Sequence, residues 1–181
     1  GYTVRAYHGT KNIFTVFDKE KIGSETDPGW FGEGFYFHVD EDTASIYSGF
    51  NGRVVDAYLK LGKTWDINKL TEAENKTIGD VIDDAIGKDP YPAWGHRDPR
   101  SERETAMLIT KYLNENGYDS VRVWGQVMVI NPEQIKSADP VTYDDSGNII
   151  PLSQRFTDSN DIRFQERDSD NAPLSPEQIE Y

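Results

Sequence analysis

The fold of this chain is decided by two stretches near its start, YHGT at residues 7–10 and GEGFYF at residues 32–37. Residues 2–8 are rich in β-branched and aromatic side chains, which predicts a strand that ends at the first stretch. The apolar run at 35–39 predicts a second strand that follows a glycine-rich loop. Asp40 then predicts the start of a short helix, because aspartate is a favoured N-cap residue.

Aromatic and polar side chains on these first elements predict a ligand site. Tyr36 lies on the second predicted strand, and Tyr47 lies on the helix that follows it. Two tyrosines so placed can wall a flat slot whose polar floor contains His8 and Thr10. Such a slot suits a nicotinamide ring, because aromatic rings attract a cationic pyridinium. The competing interpretation is that both tyrosines only pack in a core.

Further elements are predicted downstream from periodicity and capping patterns. Strands are predicted at 53–61, 118–123 and 127–130, with a tight hairpin turn of Trp124, Gly125 and Gln126 between the last two. Capping boxes at 71–74 and 101–104 predict two helices, the second of which carries Ala106, Ile109 and Leu113 on one face. One helical turn is predicted at 132–137, and an edge strand at 149–152.

The composition predicts one globular α+β domain, residues 1–138, followed by a polar extension, residues 139–181. The chain has 181 residues, of which 36% are hydrophobic, so it can bury a sizeable core. Residues 153–181 are rich in Asp, Ser, Asn, Gln and Pro, and such a segment does not fold alone. No run of 18 apolar residues occurs in the sequence, which predicts no membrane span.

Charge and the rarer residue types narrow the classes of partner. The net charge is −13 without a Lys/Arg cluster, which disfavours a nucleic acid partner, although the simplest role of this charge is solubility. The absence of cysteine excludes disulfides and thiolate metal sites. The three histidines, His8, His38 and His96, have no metal-binding spacing, so no metal is expected.

The motifs resemble those of the ADP-ribosyltransferase superfamily, in its diphtheria-toxin and poly(ADP-ribose) polymerase branch. That branch carries a His-Gly-Ser/Thr strand, a Gly-x-Gly-x-Tyr-Phe strand and a later tyrosine on a helix, and all three occur here in that order. The resemblance covers residues 4–138 and looks most like the transferase domains of phage and mobile-element polyvalent proteins. It implies a split β-sandwich of two small sheets with flanking helices.

The resemblance also implies a substrate, NAD, and a role for each motif residue. The catalytic set would be His8, Tyr36 and Gln126, with His8 bonded to a ribose hydroxyl of NAD. The residues that bind NAD would be His8, Gly9, Thr10, Tyr36, Phe37, Ala44 and Tyr47. The implied reaction is mono-ADP-ribosyl transfer from NAD to an acceptor, expected to be a protein, with release of nicotinamide.

Gln126 departs from the family pattern, in which a glutamate opens the late strand. A glutamine can still hydrogen-bond a ribose hydroxyl, but it supplies no negative charge. One interpretation is a specialised mono-transferase, and another is that a different carboxylate substitutes, with Glu102, Glu104 and Glu133 as candidates. A third is a module that binds NAD or a protein without catalysis. An NAD glycohydrolase, with water as the acceptor, is a further alternative.

Two tryptophans are candidates for acceptor recognition. Trp124 precedes Gln126 on the predicted turn, and Trp94 lies in the loop PYPAWGH at 90–96, whose His96 is a candidate general base. The alternative for either tryptophan is that it folds back on the core. The resemblance also implies a toxin or effector module within a larger polyprotein, at work in the cytoplasm of a bacterial cell.

Overall fold

The computed structural model describes residues 1–23, 29–74, 80, 99–139, 141–151 and 160–163. The named strands and helices are β1 (Tyr2–Thr10), β2 (Phe35–His38), α1 (Glu41–Ile46), β3 (Arg53–Lys60), β4 (Thr64–Asp66), α2 (Pro99–Glu115), β5 (Ser120–Val123), β6 (Gln126–Val129) and β7 (Ile135–Ser137). Single 3-10 turns lie at Lys19–Lys21 and Pro132–Gln134. In the described ranges, no helix has the length and apolar character needed to cross a membrane.

The α+β class predicted from the sequence is confirmed, but the arrangement of the strands differs from the prediction. Hydrogen bonds connect the strands in the single order β4-β5-β6-β2-β1-β3-β7, whereas two small sheets were expected. The reason is that β2 has a hydrogen-bonded neighbour on each of its two edges. The chain divides into two compact units, the first with residues 1–17, 38–60 and 132–181, the second with 18–37 and 61–131.

The first unit is built on three antiparallel strands. In β1 and β3, His8 lies opposite Val55, and in β3 and β7, Leu59 lies opposite Ile135. The inward residues of β3 alternate with partly exposed ones, as a strand with one buried face requires. The side chains buried most completely in this unit are Ala6, Ala57, Leu59 and Ile135.

The second unit packs α2 against the hairpin of β5 and β6. Its core consists of Trp65, Ile109, Leu113, Tyr118, Val121, Val123, Met128 and Ile130. The predicted helical face of Ala106, Ile109 and Leu113 is confirmed, since all three side chains are buried. Strand β4 was not predicted, because its three residues are too few for a periodic pattern, yet it pairs in parallel with β5.

One of the two predicted helix starts is confirmed. At the first capping box, Thr71 N donates to Glu74 Oε2 over 2.8 Å, and Glu74 N donates to Thr71 Oγ1 over 3.3 Å. Helical structure is described for 72–74, and the following positions lie outside the described residues. The second prediction was wrong in its boundary, because α2 already includes Pro99, and proline is favoured in the first turn of a helix.

Two predicted elements near the end of the domain are also corrected. Only Pro132–Gln134 forms the expected helical turn, because β7 begins at Ile135 and pairs with β3. The expected edge strand at 149–152 is reduced to a single bridge between Tyr143 and Ile149, and Leu152 lies outside the described residues.

Candidate functional site

In the first unit, the end of β1 contacts α1 through the backbone of Gly9. A Cβ atom on Gly9 would lie 2.0 Å from the carbonyl oxygen of Ala44 and 2.9 Å from the amide nitrogen of Ser48. The sequence assigned this glycine to close approach by a ligand. In the structure, Gly9 also has a packing role, because its missing side chain lets β1 approach the C-terminal end of α1. Because side chains alternate along a strand, those of His8 and Thr10 lie on the other face of β1 from the one that meets α1, and all of these residues belong to the first unit.

The imidazole ring of His8 lies against two phenylalanines that follow β1 in the chain. Its centroid is 5.1 Å from that of Phe17 and 6.2 Å from that of Phe14, both in edge-to-face geometry. Phe14 and Phe17 also contact each other edge to face, with centroids 4.8 Å apart. His8 itself is half-buried. The aromatic pair therefore restricts the orientation of the ring that the sequence assigns to the ribose.

The remaining predicted residues of the first unit differ widely in exposure. Thr10 is buried, and its Oγ1 accepts a hydrogen bond from Asn12 N over 3.1 Å, which turns the chain out of β1. Ala44 is 2% exposed, and its carbonyl oxygen accepts from Tyr47 N over 3.1 Å and lies against Gly9, so it belongs to the packing between α1 and β1. Tyr47 is 60% exposed at the C-terminal end of α1. Its ring is thus accessible for stacking.

The N-terminal end of α1 is fixed by Asp40 and His38. The Asp40 side chain accepts hydrogen bonds from the amide of Thr43 over 2.8 Å and from its hydroxyl over 2.6 Å. These two bonds lower the pKa of the Asp40 carboxyl below its ordinary value. His38 Nδ1 accepts from Asp40 N over 3.0 Å. The predicted N-cap is confirmed, and it fixes the start of the helix that carries Tyr47.

In the second unit, Tyr36 holds the glycine-rich loop that precedes β2. Its hydroxyl donates to the carbonyl of Gly32 over 2.7 Å and accepts from the amide of Phe31 over 2.9 Å. Gly29 and Gly32 adopt φ of 106° and 113°, which few residues other than glycine tolerate. From α2, Thr110 Oγ1 accepts from the amide of Glu33 over 2.6 Å. The conformation of this loop is therefore held from two sides.

The other predicted residues of the second unit lie on β2 and on the hairpin. Phe37 is 2% exposed, so its side chain belongs to the core. Gln126 is half-buried at the first position of β6 and lies opposite Val123. Trp124 and Gly125 connect the two strands with φ of 47° and 84°, which is a type I′ turn. Trp124 is 78% exposed, so it does not fold back on the core.

The candidate substitutes for a catalytic glutamate are scattered. Glu104 is exposed on α2, and Glu133 is exposed in the turn before β7. The side chain of Glu102 lies outside the described residues, as do Trp94 and His96. The structure adds one carboxylate that sequence reasoning missed. Glu33, half-buried on the glycine-rich loop, lies 3.9 Å from Arg103 Nε, and its place between two motif glycines was the available signal.

The described residues offer no group of three or more His, Asp or Glu side chains that could hold a metal ion. In the first unit, the half-buried imidazole of His8 can form hydrogen bonds and the exposed ring of Tyr47 can stack. Hydrogen bonding and stacking of these kinds suit a ligand with hydroxyl groups and a flat ring. Both are features of a nicotinamide nucleotide.

Residues 1–143 match the family model ART-PolyVal, described as ADP-Ribosyltransferase in polyvalent proteins, and the chain belongs to this family. The family supports an ADP-ribosylation function for the chain, and ADP-ribosyltransferases use NAD as their substrate.

The other comparisons add little to the family assignment. A solved structure titled "Crystal structure of an anti-CRISPR protein" aligns with a TM-score of 0.41 at 15% identity, over 72% of this chain and 90% of that chain. A likeness at this level carries no argument about fold or function. A search of curated proteins finds no match to the chain.

Proposed function

We propose that this chain is a mono-ADP-ribosyltransferase that transfers ADP-ribose from NAD to a protein acceptor and releases nicotinamide. The transition state of this reaction resembles an oxocarbenium ion, as in glycoside hydrolysis. The enzyme must therefore grip the nicotinamide, fix the ribose and present an acceptor. Position and electrostatics account for most of the catalysis in such a site.

The observation that carries the proposal is the contact between Gly9 and α1. It packs β1, which carries the proposed ribose ligand His8, against α1, which ends at the accessible ring of Tyr47, the proposed stacking face for nicotinamide. The aromatic contacts of His8 support a fixed orientation of its ring. The family resemblance assigns further roles in NAD binding or catalysis to Tyr36, Gln126, Gly9, Thr10, Phe37 and Ala44.

Gln126 supports transfer of a single ADP-ribose rather than growth of a polymer. Its amide can bond a ribose hydroxyl but cannot stabilise the developing positive charge as a carboxylate would. The same residue favours a second candidate function, a module that binds NAD without turnover. An NAD glycohydrolase differs from the first proposal only in having water as the acceptor.

We place acceptor recognition at Trp124, because an exposed aromatic side chain beside Gln126 suits contact with a partner protein. A toxin or effector role inside a bacterial cell, within a larger polyprotein, agrees with the family description of polyvalent proteins.

The test is release of nicotinamide from NAD by the purified chain, with and without bacterial lysate. His8→Ala is expected to abolish release. His38→Asn is the matched control for loss of an imidazole in the same unit, because the asparagine oxygen can still accept from Asp40 N and so keep the start of α1. Release that needs lysate supports a transferase, whereas equal release without lysate supports the glycohydrolase. Undiminished release by His8→Ala would refute the assigned site.

Gln126→Glu separates the remaining candidates. If Gln126 faces the ribose, the added carboxylate stabilises the cationic transition state and raises hydrolysis of NAD by about tenfold or more. Asn114→Asp is a control that adds the same charge at an exposed position of the same unit. NAD binding without turnover in the natural chain, followed by turnover in Gln126→Glu, would favour the binding module.

A further inference from the structure

The strongest unexplained feature of the first unit is a short segment far beyond the motif residues. Residues 160–163 follow the region that matches the family model, which ends at 143. Ile162 is 5% exposed, and the side chains of Asp161 and Arg163 are 14% and 17% exposed. A polar extension that only surrounds a domain would not bury Ile162 and cover most of the two side chains that flank it.

The guanidinium group of Arg163 is the centre of this segment. Its Nε and Nη2 donate to the carboxylate of Asp161 over 2.7–3.1 Å. Its Nη1 donates to Asp145 Oδ1 over 2.9 Å and to the carbonyl of Tyr143 over 3.0 Å. A planar guanidinium that bonds several acceptors at once is the arrangement in which arginine cannot be exchanged for lysine.

The backbone of the segment connects two distant parts of the first unit. Ile162 N donates to the carbonyl of Thr15 over 2.9 Å, and Asp161 forms a bridge with Val16. On the other side, Ser137 N at the end of β7 donates to the carbonyl of Ile162 over 2.9 Å. The segment is therefore held between β7 and residues 14–17.

Residues 14–17 are the ones that orient His8. Phe14 and Phe17 contact the imidazole, and Thr15 and Val16 lie between them in the chain. The carbonyl of Phe14 also accepts from Arg53 Nη2 over 2.8 Å. The contacts of Arg53 and of Ile162 thus fix the same short stretch at two successive residues.

We infer that Asp161, Ile162 and Arg163 form a latch that positions His8 by holding residues 14–17 against its ring. In this inference, which rests on the proposed function of His8, Arg163 is a positioning residue and touches no substrate. The ADP-ribosyltransferase site then includes a contribution from the C-terminal extension. The physical basis of this inference is that a displacement of a reacting group by about 1 Å can lower the reaction rate about a hundredfold.

The test is the NMR signal of the His8 ring in the full chain without NAD. Ring currents of Phe14 and Phe17 set its proton shifts, so Arg163→Ala is expected to move them. Arg5→Ala is the matched control, because Arg5 also pairs with an aspartate, Asp56, but lies on the opposite face of β1 from His8. Unmoved His8 signals in Arg163→Ala, or equal movement in Arg5→Ala, would overturn the inference.

A second variant covers the case in which Arg163→Ala does not fold. Asp161→Asn keeps one acceptor for the guanidinium and is expected to move the same signals by a smaller amount. Unmoved signals in folded Asp161→Asn would then overturn the latch.

Activity gives the second readout. Nicotinamide release at low NAD concentration is expected to slow by about tenfold in Arg163→Ala and to stay unchanged in Arg5→Ala. Because the NMR readout needs no NAD, a natural chain that never releases nicotinamide would count against the proposed function alone. Moved His8 signals together with undiminished release in Arg163→Ala would support the latch and count against the proposed role of His8 in the reaction.

Discussion

Gly9 leaves no room for a side chain, because backbone atoms of α1 occupy the space that a Cβ atom would need. Gly9→Ala would bring its methyl group within 2.0 Å of the Ala44 carbonyl oxygen, so β1 and α1 must separate. We expect the free energy of unfolding to fall by about 1–3 kcal/mol, the usual cost of overpacking. Urea unfolding of the full chain measures this change.

The control for Gly9→Ala is Gly117→Asn. Gly117 has a φ of 72° and no atom within 4 Å of the position that a Cβ atom would take, and asparagine tolerates this conformation. This variant is expected to change the free energy of unfolding by less than about 0.5 kcal/mol. Equal stability of Gly9→Ala and the natural chain would mean that β1 and α1 do not pack as described.

The sequence shows the order of the proposed site residues but not their surroundings. The order of His8, Tyr36 and Tyr47 is visible in the chain, and so is the glycine at position 9. The contacts of Phe14 and Phe17 with His8 are not visible, because no periodicity relates a strand end to the loop that follows it. The partners of Arg163 lie as close as position 161 and as far as position 143, and only the fold brings them together.

At the scale of the elements, α1 depends on one ionised side chain at its N-terminal end. The hydrogen bonds from Thr43 lower the pKa of Asp40 in the folded chain relative to the unfolded chain. The stabilisation is therefore fully present above the unfolded pKa of about 4, and it is lost as the pH falls through the lower folded pKa. Urea unfolding at about pH 6 and about pH 3 is expected to show this loss.

Asp40→Asn isolates the contribution of that carboxyl group. Asparagine also caps helices well but does not titrate, so the variant should lose less stability between the two pH values than the natural chain does. The pKa of Asp144, in the same unit, is also lowered, by hydrogen bonds from Asn148, and this group titrates in both proteins. An identical pH dependence of the two proteins would refute the role of the Asp40 charge.

The hairpin of β5 and β6 carries a tryptophan where its turn favours asparagine. Type I′ turns need positive φ at both central residues, and Asn-Gly is the preferred pair. Trp124, with a φ of 47°, is therefore strained and exposed at once. We expect Trp124→Asn to raise the free energy of unfolding by about 1 kcal/mol and to reduce transfer to the acceptor. Urea unfolding and labelling of lysate proteins measure the two effects.

Trp124→Phe is the matched variant, because it keeps both an aromatic ring and the strain. It should retain transfer and gain no stability. If Trp124→Asn were more stable and transferred ADP-ribose normally, the tryptophan would have no part in acceptor recognition.

The longer helices and strands could be predicted from the sequence, whereas the shortest strands could not. The long β1 and β3 and the amphipathic face of α2 were visible in the sequence, because each repeats its pattern several times. The three-residue β4 and β7 were not, since pairing with a neighbour rather than local preference makes them strands. The single strand order was missed for the same reason, because the sequence does not reveal that both edges of β2 are paired.

At the scale of the whole molecule, the net charge of −13 affects which class of acceptor the chain can bind. Phosphate groups of DNA or RNA are repelled by such a surface, and this repulsion grows at low salt, where the Debye length rises from about 8 Å to about 30 Å. Proteins that bind nucleic acids show the opposite dependence, with tighter binding at low salt. The charge therefore favours a protein acceptor.

We expect label from NAD to enter the protein fraction of a bacterial lysate. Nuclease treatment before the reaction should leave incorporation unchanged, whereas protease treatment of the lysate, followed by protease inhibition, should remove it. The control for chemical glycation is labelled ADP-ribose added directly to the lysate together with the His8→Ala chain, because free ADP-ribose glycates amines without an enzyme. Label that nuclease removes, and that increases as the salt concentration falls, would instead identify a nucleic acid acceptor bound through a local basic surface despite the net charge.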